Sequence, residues 1–138
     1  MSIKILQGNC LETLSSLEEK SVNTCVTSPP YWGLRDYGTD DQLGQEETPE
    51  KFVENLVNVF REVRRVLRDD GTVWLNLGDS YARTGGDSAE KGRHWDGRKN
   101  NPNTGHNRYA KKIGLKQKDL VGIPWRVAFA LQADGWYL

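Results

Sequence analysis

Two consecutive prolines, Pro29 and Pro30, restrict the fold more than any other feature of the chain. They close a compact β-branched run, Val22-Asn23-Thr24-Cys25-Val26-Thr27, of the composition that favours a strand. Neither proline can donate to a β-ladder, so the strand must stop there and the chain must turn. The hexapeptide Thr27-Ser28-Pro29-Pro30-Tyr31-Trp32 is therefore placed at the carboxyl end of a strand. On the plainest reading it is a rigid turn whose two aromatics cover the end of the sheet.

Strands alternating with helical patterns surround this point. Residues 3–7 alternate like a strand and stop at Gly8-Asn9, after which Leu11, Leu14 and Leu17 recur at helical spacing. Thr48-Pro49 supplies N-cap and first-turn chemistry for a helix with Phe52, Leu56, Val59, Phe60, Val63, Val66 and Leu67 on one stripe, ending at Asp70-Gly71. Residues 72–77 read as a second buried strand. Residues 123–133 read as a helix with Pro124 in its first turn and Gly135 beyond its end, and residues 136–138 as the start of another strand. This order indicates an α/β domain with a mostly parallel sheet and flanking helices. In such sheets ligands lie outside the carboxyl ends of the strands, where Gly8-Asn9, Ser28 to Trp32 and Gly78-Asp79-Ser80-Tyr81 all fall.

Net charge is zero, but its distribution is uneven. Residues 1–82 hold 8 Lys/Arg against 14 Asp/Glu, residues 83–118 hold 10 against 3, and residues 119–138 hold 1 against 2. The basic segment carries Arg83, Lys91, Arg93, Arg98, Lys99, Arg108, Lys111, Lys112, Lys116 and Lys118 among His94, Trp95, His106 and Tyr109. Cations with interleaved aromatics suit a segment that follows a phosphate backbone; the alternative is a loop charged for solubility. His94 and His106 lack partners at metal-ligand spacing, so no metal is expected. Cys10 and Cys25 form no Cys-x-x-Cys pair and are read as reduced packing residues of a cytoplasmic protein. The amino terminus shows no secretory pattern, and no apolar run is long enough to span a membrane.

The hexapeptide resembles the target-base motif of the DNA amino-methyltransferases, in which Asp, Asn or Ser precedes Pro-Pro and an aromatic residue. The resemblance implies a partial Rossmann-like, S-adenosylmethionine-dependent fold acting on double-stranded DNA, as in bacterial or phage enzymes, within restriction-modification or alone. It implies Ser28 and the Pro29 carbonyl as acceptors for a base amine, Pro30 as the second fixed residue of the turn, and Tyr31 as a stacking platform. Trp32, Asp79, Ser80 and Tyr81 would line the base pocket, with plain turn chemistry the alternative for the last three. Gly8-Asn9 resembles the family's donor-contacting Gly-Asp element with Asn in place of Asp, so Gly8, Asn9 and Thr27 are the expected donor contacts, Asn9 being equally readable as a turn residue.

Ser at the first motif position leans to cytosine N4, with adenine N6 the alternative. A protein-glutamine or RNA methyltransferase carries an Asn-Pro-Pro-Tyr version, against which Ser28 argues. A non-catalytic DNA-binding fragment is the reading of another class. Nothing matches the family's Phe-x-Gly-x-Gly donor loop, so the resemblance implies a truncated enzyme whose donor-binding carboxyl-terminal half is absent. In the family's sheet two strands from that half separate the strand at residues 3–7 from the one ending at Ser28. The chain is therefore expected either to pair its strands directly or to be marginal without a complement.

Overall fold

The computed structural model describes residues 3–39, 42–82 and 114–138. Helix α1 (Cys10–Ser15) leads to strand β1 (Val22–Thr27), helix α2 (Pro49–Val66), strand β2 (Leu67–Leu75) and helix α3 (Ile123–Ala133). β1 and β2 form a two-stranded parallel sheet with Cys25 opposite Val73, Val26 opposite Trp74 and Thr27 opposite Leu75. These are the α/β alternation and the parallel pairing expected from the sequence.

α2 starts as its sequence dictates. The Thr48 hydroxyl accepts the Lys51 N–H at 3.0 Å, Pro49 occupies the first turn, and Arg64 and Arg65 sit in the last turn, where cations offset the helix dipole. Two expectations need correction. The helix ends at Val66 rather than at Asp70-Gly71, because Leu67 turns extended and pairs with Val22. Its buried face includes Val57, while Val59 is only half-buried. A helix flanked by a sheet and two other helices buries a broader arc than one stripe.

Phe52, Leu56, Phe60, Ile123 and Val127 form the centre of the core, between α2 and α3 on one side and the inner face of the sheet on the other. Cys25, Val73 and Leu75 pack against it. Burial pushes the Cys25 thiol above its ordinary pKa, as for a packing residue rather than a nucleophile. On the outer face Val26 is 76% exposed and Trp74 67%. α3 has the predicted bounds, and its carboxyl end is tied to α2: Arg61 donates to the Asp134 carboxylate at 2.6 and 2.8 Å, and Arg64 to the Asp134 carbonyl at 2.7 Å.

Two predicted strands are not strands. Residues 3–7 are exposed and outside any ladder, because neither edge of the sheet receives them. Residues 136–138 likewise have no ladder partner, although Trp136 packs edge-on against Phe60 with centroids 6.4 Å apart. No helix among the described residues is long and apolar enough to cross a membrane.

Candidate functional site

β1 delivers its last residues to the carboxyl edge of the sheet, where the Thr27 carbonyl accepts the Asn76 N–H at 3.0 Å. Pro29 and Pro30 then end the pairing, as their missing N–H groups require. Ser28 is exposed, and its hydroxyl donates to the Tyr31 hydroxyl at 3.2 Å. Thr27 and Ser28 share an open groove with Val26, Trp74, Leu75 and Asn76.

The turn is seated from three sides. The Tyr31 ring lies directly on Gly78, where an added Cβ would fall 2.7 Å from Cδ2 and Cε2. Behind the turn Gly44, at φ +96°, accepts the Gly33 N–H at 2.7 Å, and a Cβ there would come within 2.8 Å of the Tyr31 carbonyl. The Glu46 carboxylate accepts from the Gly44 N–H at 2.8 Å and from the Asn55 amide at 3.0 Å. Residues 42–48 thus form a strap against the turn.

Trp32 does not line an open pocket. It is 3% exposed, a member of the core cluster, and its indole N–H donates to the Glu46 carbonyl at 3.0 Å. The large apolar ring is worth more inside than at the groove, so Trp32 anchors the turn that Ser28 and Tyr31 present.

Asp79 and Ser80 stand beside this turn in roles that their sequence context did not disclose. The Asp79 carboxylate accepts from the backbone N–H groups of Ser80 at 2.8 Å, Gly122 at 3.0 Å and Ile123 at 3.0 Å, so it serves the first turn of α3. The Ser80 hydroxyl donates to the Trp32 carbonyl at 3.0 Å. Tyr81 is exposed and bridges antiparallel to Leu120. Around it Val121 donates to Ser80, Ala82 to Asp119 and Lys118 to Ala82, at 2.7–2.8 Å. This clasp includes Lys118 of the basic segment. Arg83, Lys91, Arg93, Arg98, Lys99, Arg108, Lys111 and Lys112 lie outside the described residues.

Gly8 and Asn9 are not brought to Ser28. The Asn9 side chain accepts the Leu11 N–H at 2.9 Å and so caps α1. The far end of α1 is held by Arg65, whose guanidinium donates to the Leu14 and Leu17 carbonyls at 2.8 and 3.1 Å. Arg65 stands just before β2 begins, at the opposite end of the sheet from Ser28. Thr27 alone of the three expected donor contacts borders the groove. Among the described residues no group of three His, Cys, Asp or Glu side chains is placed to hold a metal ion.

Sequence reasoning missed Gly44, Glu46 and Asn76 as parts of the site, and placed Gly78 at the strand end without its contact with Tyr31. Their only local signal was glycine or a polar residue in turn-rich sequence, and their partners lie far along the chain. Chemically, the site offers acceptors: a serine hydroxyl and prolines without N–H groups, beside a phenol ring and at the carboxyl edge of parallel strands. Such a site suits a planar ligand that presents hydrogen-bond donors.

Residues 22–138 match the family model described as DNA methylase. The chain is 48% identical to the Type II methyltransferase M.SmaI of Serratia marcescens over 99% of its own length and 45% of that protein's. It is 51% identical to the Type II methyltransferase M.XycI of Xanthomonas campestris pv. cyanopsidis over 97% of the chain and 43% of the relative. With M.SfiI of Streptomyces fimbriatus the identity is 45%, over 95% of the chain and 27% of the relative. The chain thus spans less than half the length of these curated relatives. No solved structure matches it.

Proposed function

The chain belongs to the DNA methylase family, and from that premise we propose that it holds the target base of an enzyme that methylates an exocyclic amine in DNA, cytosine N4 in particular. The observation that carries this reading is the exposed Ser28 at the end of a parallel strand, beside a Tyr31 ring seated on Gly78. S-adenosylmethionine is the methyl source the family implies, and the partial α/β unit is read as part of a Rossmann-like sheet. Gly8, Asn9 and Thr27 are the proposed contacts to that donor by the family resemblance, Asn9 capping α1 through its Oδ1 and Thr27 bordering the groove beside Ser28. The chemistry that the turn at Ser28 supplies lies on the target side.

An exocyclic amine on a heteroaromatic ring is a poor nucleophile because its lone pair is delocalised. Two acceptors on its N–H groups favour the pyramidal geometry and stabilise the positive charge that develops there. Ser28 Oγ and the Pro29 carbonyl are the proposed acceptors, the hydroxyl donating its proton to Tyr31 and keeping its lone pairs for the amine. Pro29 and Pro30 hold the carbonyls in a fixed direction. Tyr31 stacks on a base taken out of the duplex, and the basic segment follows the phosphates. In the family's motif Ser at the first position leans to cytosine N4 and Asp to adenine N6, and Ser28 supports the former.

The test is mass spectrometry of nucleosides from DNA treated with the protein expressed from its complete natural reading frame, with and without Ser28→Ala. N4-methylcytosine is expected, falling by about 10²-fold in the variant. N6-methyladenine alone would overturn the cytosine assignment. Absence of any methylated base, with DNA still bound, would favour the second reading, DNA binding without transfer.

A further inference from the structure

We propose that Asp79 is a positioning residue for the target-base turn: by gripping the first turn of α3 it holds Gly78 under the Tyr31 ring and Ser80 against the Trp32 carbonyl. The functional consequence rests on the reading of the turn as a base-amine site; the geometric claim does not.

Three observations meet at Asp79. The N-cap of α3 is Gly122, which has φ +81° and no side chain to cap the helix. Its free N–H groups are met instead from 43 and 44 residues away by the Asp79 carboxylate, at 3.0 Å for Gly122 and 3.0 Å for Ile123. The same Oδ1 accepts the Ser80 N–H at 2.8 Å, fixing the backbone that leads into Ser80.

From there the effect passes to the turn by direct contact on both sides of Asp79. Gly78 has no Cβ, and the Tyr31 ring fills the space that a Cβ would need. Ser80 donates to the carbonyl of Trp32, the residue that roots the turn in the core. Residues 78–80 lie beyond the end of β2, past the Asn76 bond to Thr27 that closes its ladder. The Asp79 carboxylate is what fastens this stretch to α3 at the level of Gly78, whereas the clasp from Ser80 to Val121 secures the residues after it. A carboxylate answering several N–H groups at once is a strong fastening, because each bond is charge-assisted and lies at the positive end of the helix dipole.

A helix cap alone and a positioning residue differ in the consequences of their removal. A cap lost anywhere lowers stability; only the positioning role moves Tyr31. Incorporation of 3-fluorotyrosine gives each of the five tyrosines a ¹⁹F resonance, that of Tyr31 being identified by its loss in Tyr31→Phe. In Asp79→Asn and Asp79→Ala the Tyr31 resonance should shift or broaden while those of Tyr37 and Tyr137 hold. Asp134→Asn, which loosens the other end of α3 instead, should lower the melting temperature and leave Tyr31 in place. In the protein expressed from its complete reading frame, Asp79→Asn should lower kcat by roughly 10- to 100-fold with KM for DNA held. A Tyr31 resonance unmoved in both Asp79 variants, at a lowered melting temperature, would overturn the proposal and leave Asp79 a cap. If the unmutated protein transfers no methyl group while the Tyr31 resonance moves as stated, the base-amine reading fails and the positioning role stands.

Discussion

Alanine at Gly78 should displace the Tyr31 ring while leaving the fold almost as stable as before. The added Cβ would stand 2.7 Å from two ring carbons, about 0.7 Å inside the 3.4 Å at which ordinary contact begins. The main chain of Tyr31 cannot retreat to make that room, because Gly44 is packed against its carbonyl from behind. The ring has more freedom, since Tyr31 is only half-buried. Gly78 is not in the left-handed region, so alanine brings no backbone strain, and the less flexible unfolded chain returns about 0.4–1 kcal/mol. Against this stand the ring's lost packing and its hydrogen bond with Ser28, the latter worth about 0.5–1.5 kcal/mol. The balance lies within about 1 kcal/mol, a change of about 5 °C or less in melting temperature. Differential scanning fluorimetry read beside the ¹⁹F signal of Tyr31 measures both quantities. A loss near the roughly 2–5 kcal/mol typical of a core truncation would refute the idea that the ring can yield. A Tyr31 resonance identical to the unmutated protein's would refute its contact with Gly78.

The two tryptophans Trp32 and Trp74 should behave oppositely on truncation: Trp32→Ala should cost about 3–5 kcal/mol in denaturant unfolding, and Trp74→Ala on the exposed face within about 0.5 kcal/mol. Equal costs would contradict the placement of Trp32 as the root of the turn. The link between α2 and α3 should be sensitive to acid. The hydrogen bond from Arg61 holds the Asp134 carboxyl below its usual range, so its stabilisation is present above the unfolded value near pH 4 and is lost as pH falls through the lower folded one. The melting-temperature gap between the protein and Asp134→Asn should therefore be open at neutral pH and close below about pH 4; a gap constant into strong acid would exclude this origin.

Where the signals in the sequence were local, they placed the elements well. Pro124 and Gly135 bracket α3, Thr48-Pro49 starts α2, and the paired prolines end β1 at the residue that becomes the candidate site. The end of α2 was misplaced because the apolar stripe runs on through Leu67, and only pairing with Val22, 45 residues earlier in the chain, turns Leu67 into strand. At the site the same division holds. Ser28 and Tyr31 were legible from the turn they occupy. The burial of Trp32 was not, since two adjacent aromatics after a turn carry no mark of which one faces the core. Asp79 was legible as a polar residue after a strand, but its partners are α3 backbone groups, and backbone groups leave no trace in residue identity.

Residues 3–7 show the same division from the other side. The alternation of Ile3 and Ile5 about Lys4 satisfies the strand pattern, yet both isoleucines are almost wholly exposed, Ile3 at 92%. A strand is a property of a pair: the pattern supplies a face to bury, while the ladder must come from a neighbour with free backbone groups and a core beneath it. Among the described residues the core lies under β1 and β2 alone, and the helices cover one face of that sheet. Parallel sheets ordinarily bury both faces, and the apolar pair Val26 and Trp74 on the outer face is composed as if it were to be covered. The exposed alternation at residues 3–7 and the exposed Val26–Trp74 pair are thus one physical fact. Each presents strand chemistry that only a further strand or helix layer can convert into stability, whereas the turn at Ser28 draws its rigidity from Gly44, Gly78 and Trp32, which are already in place.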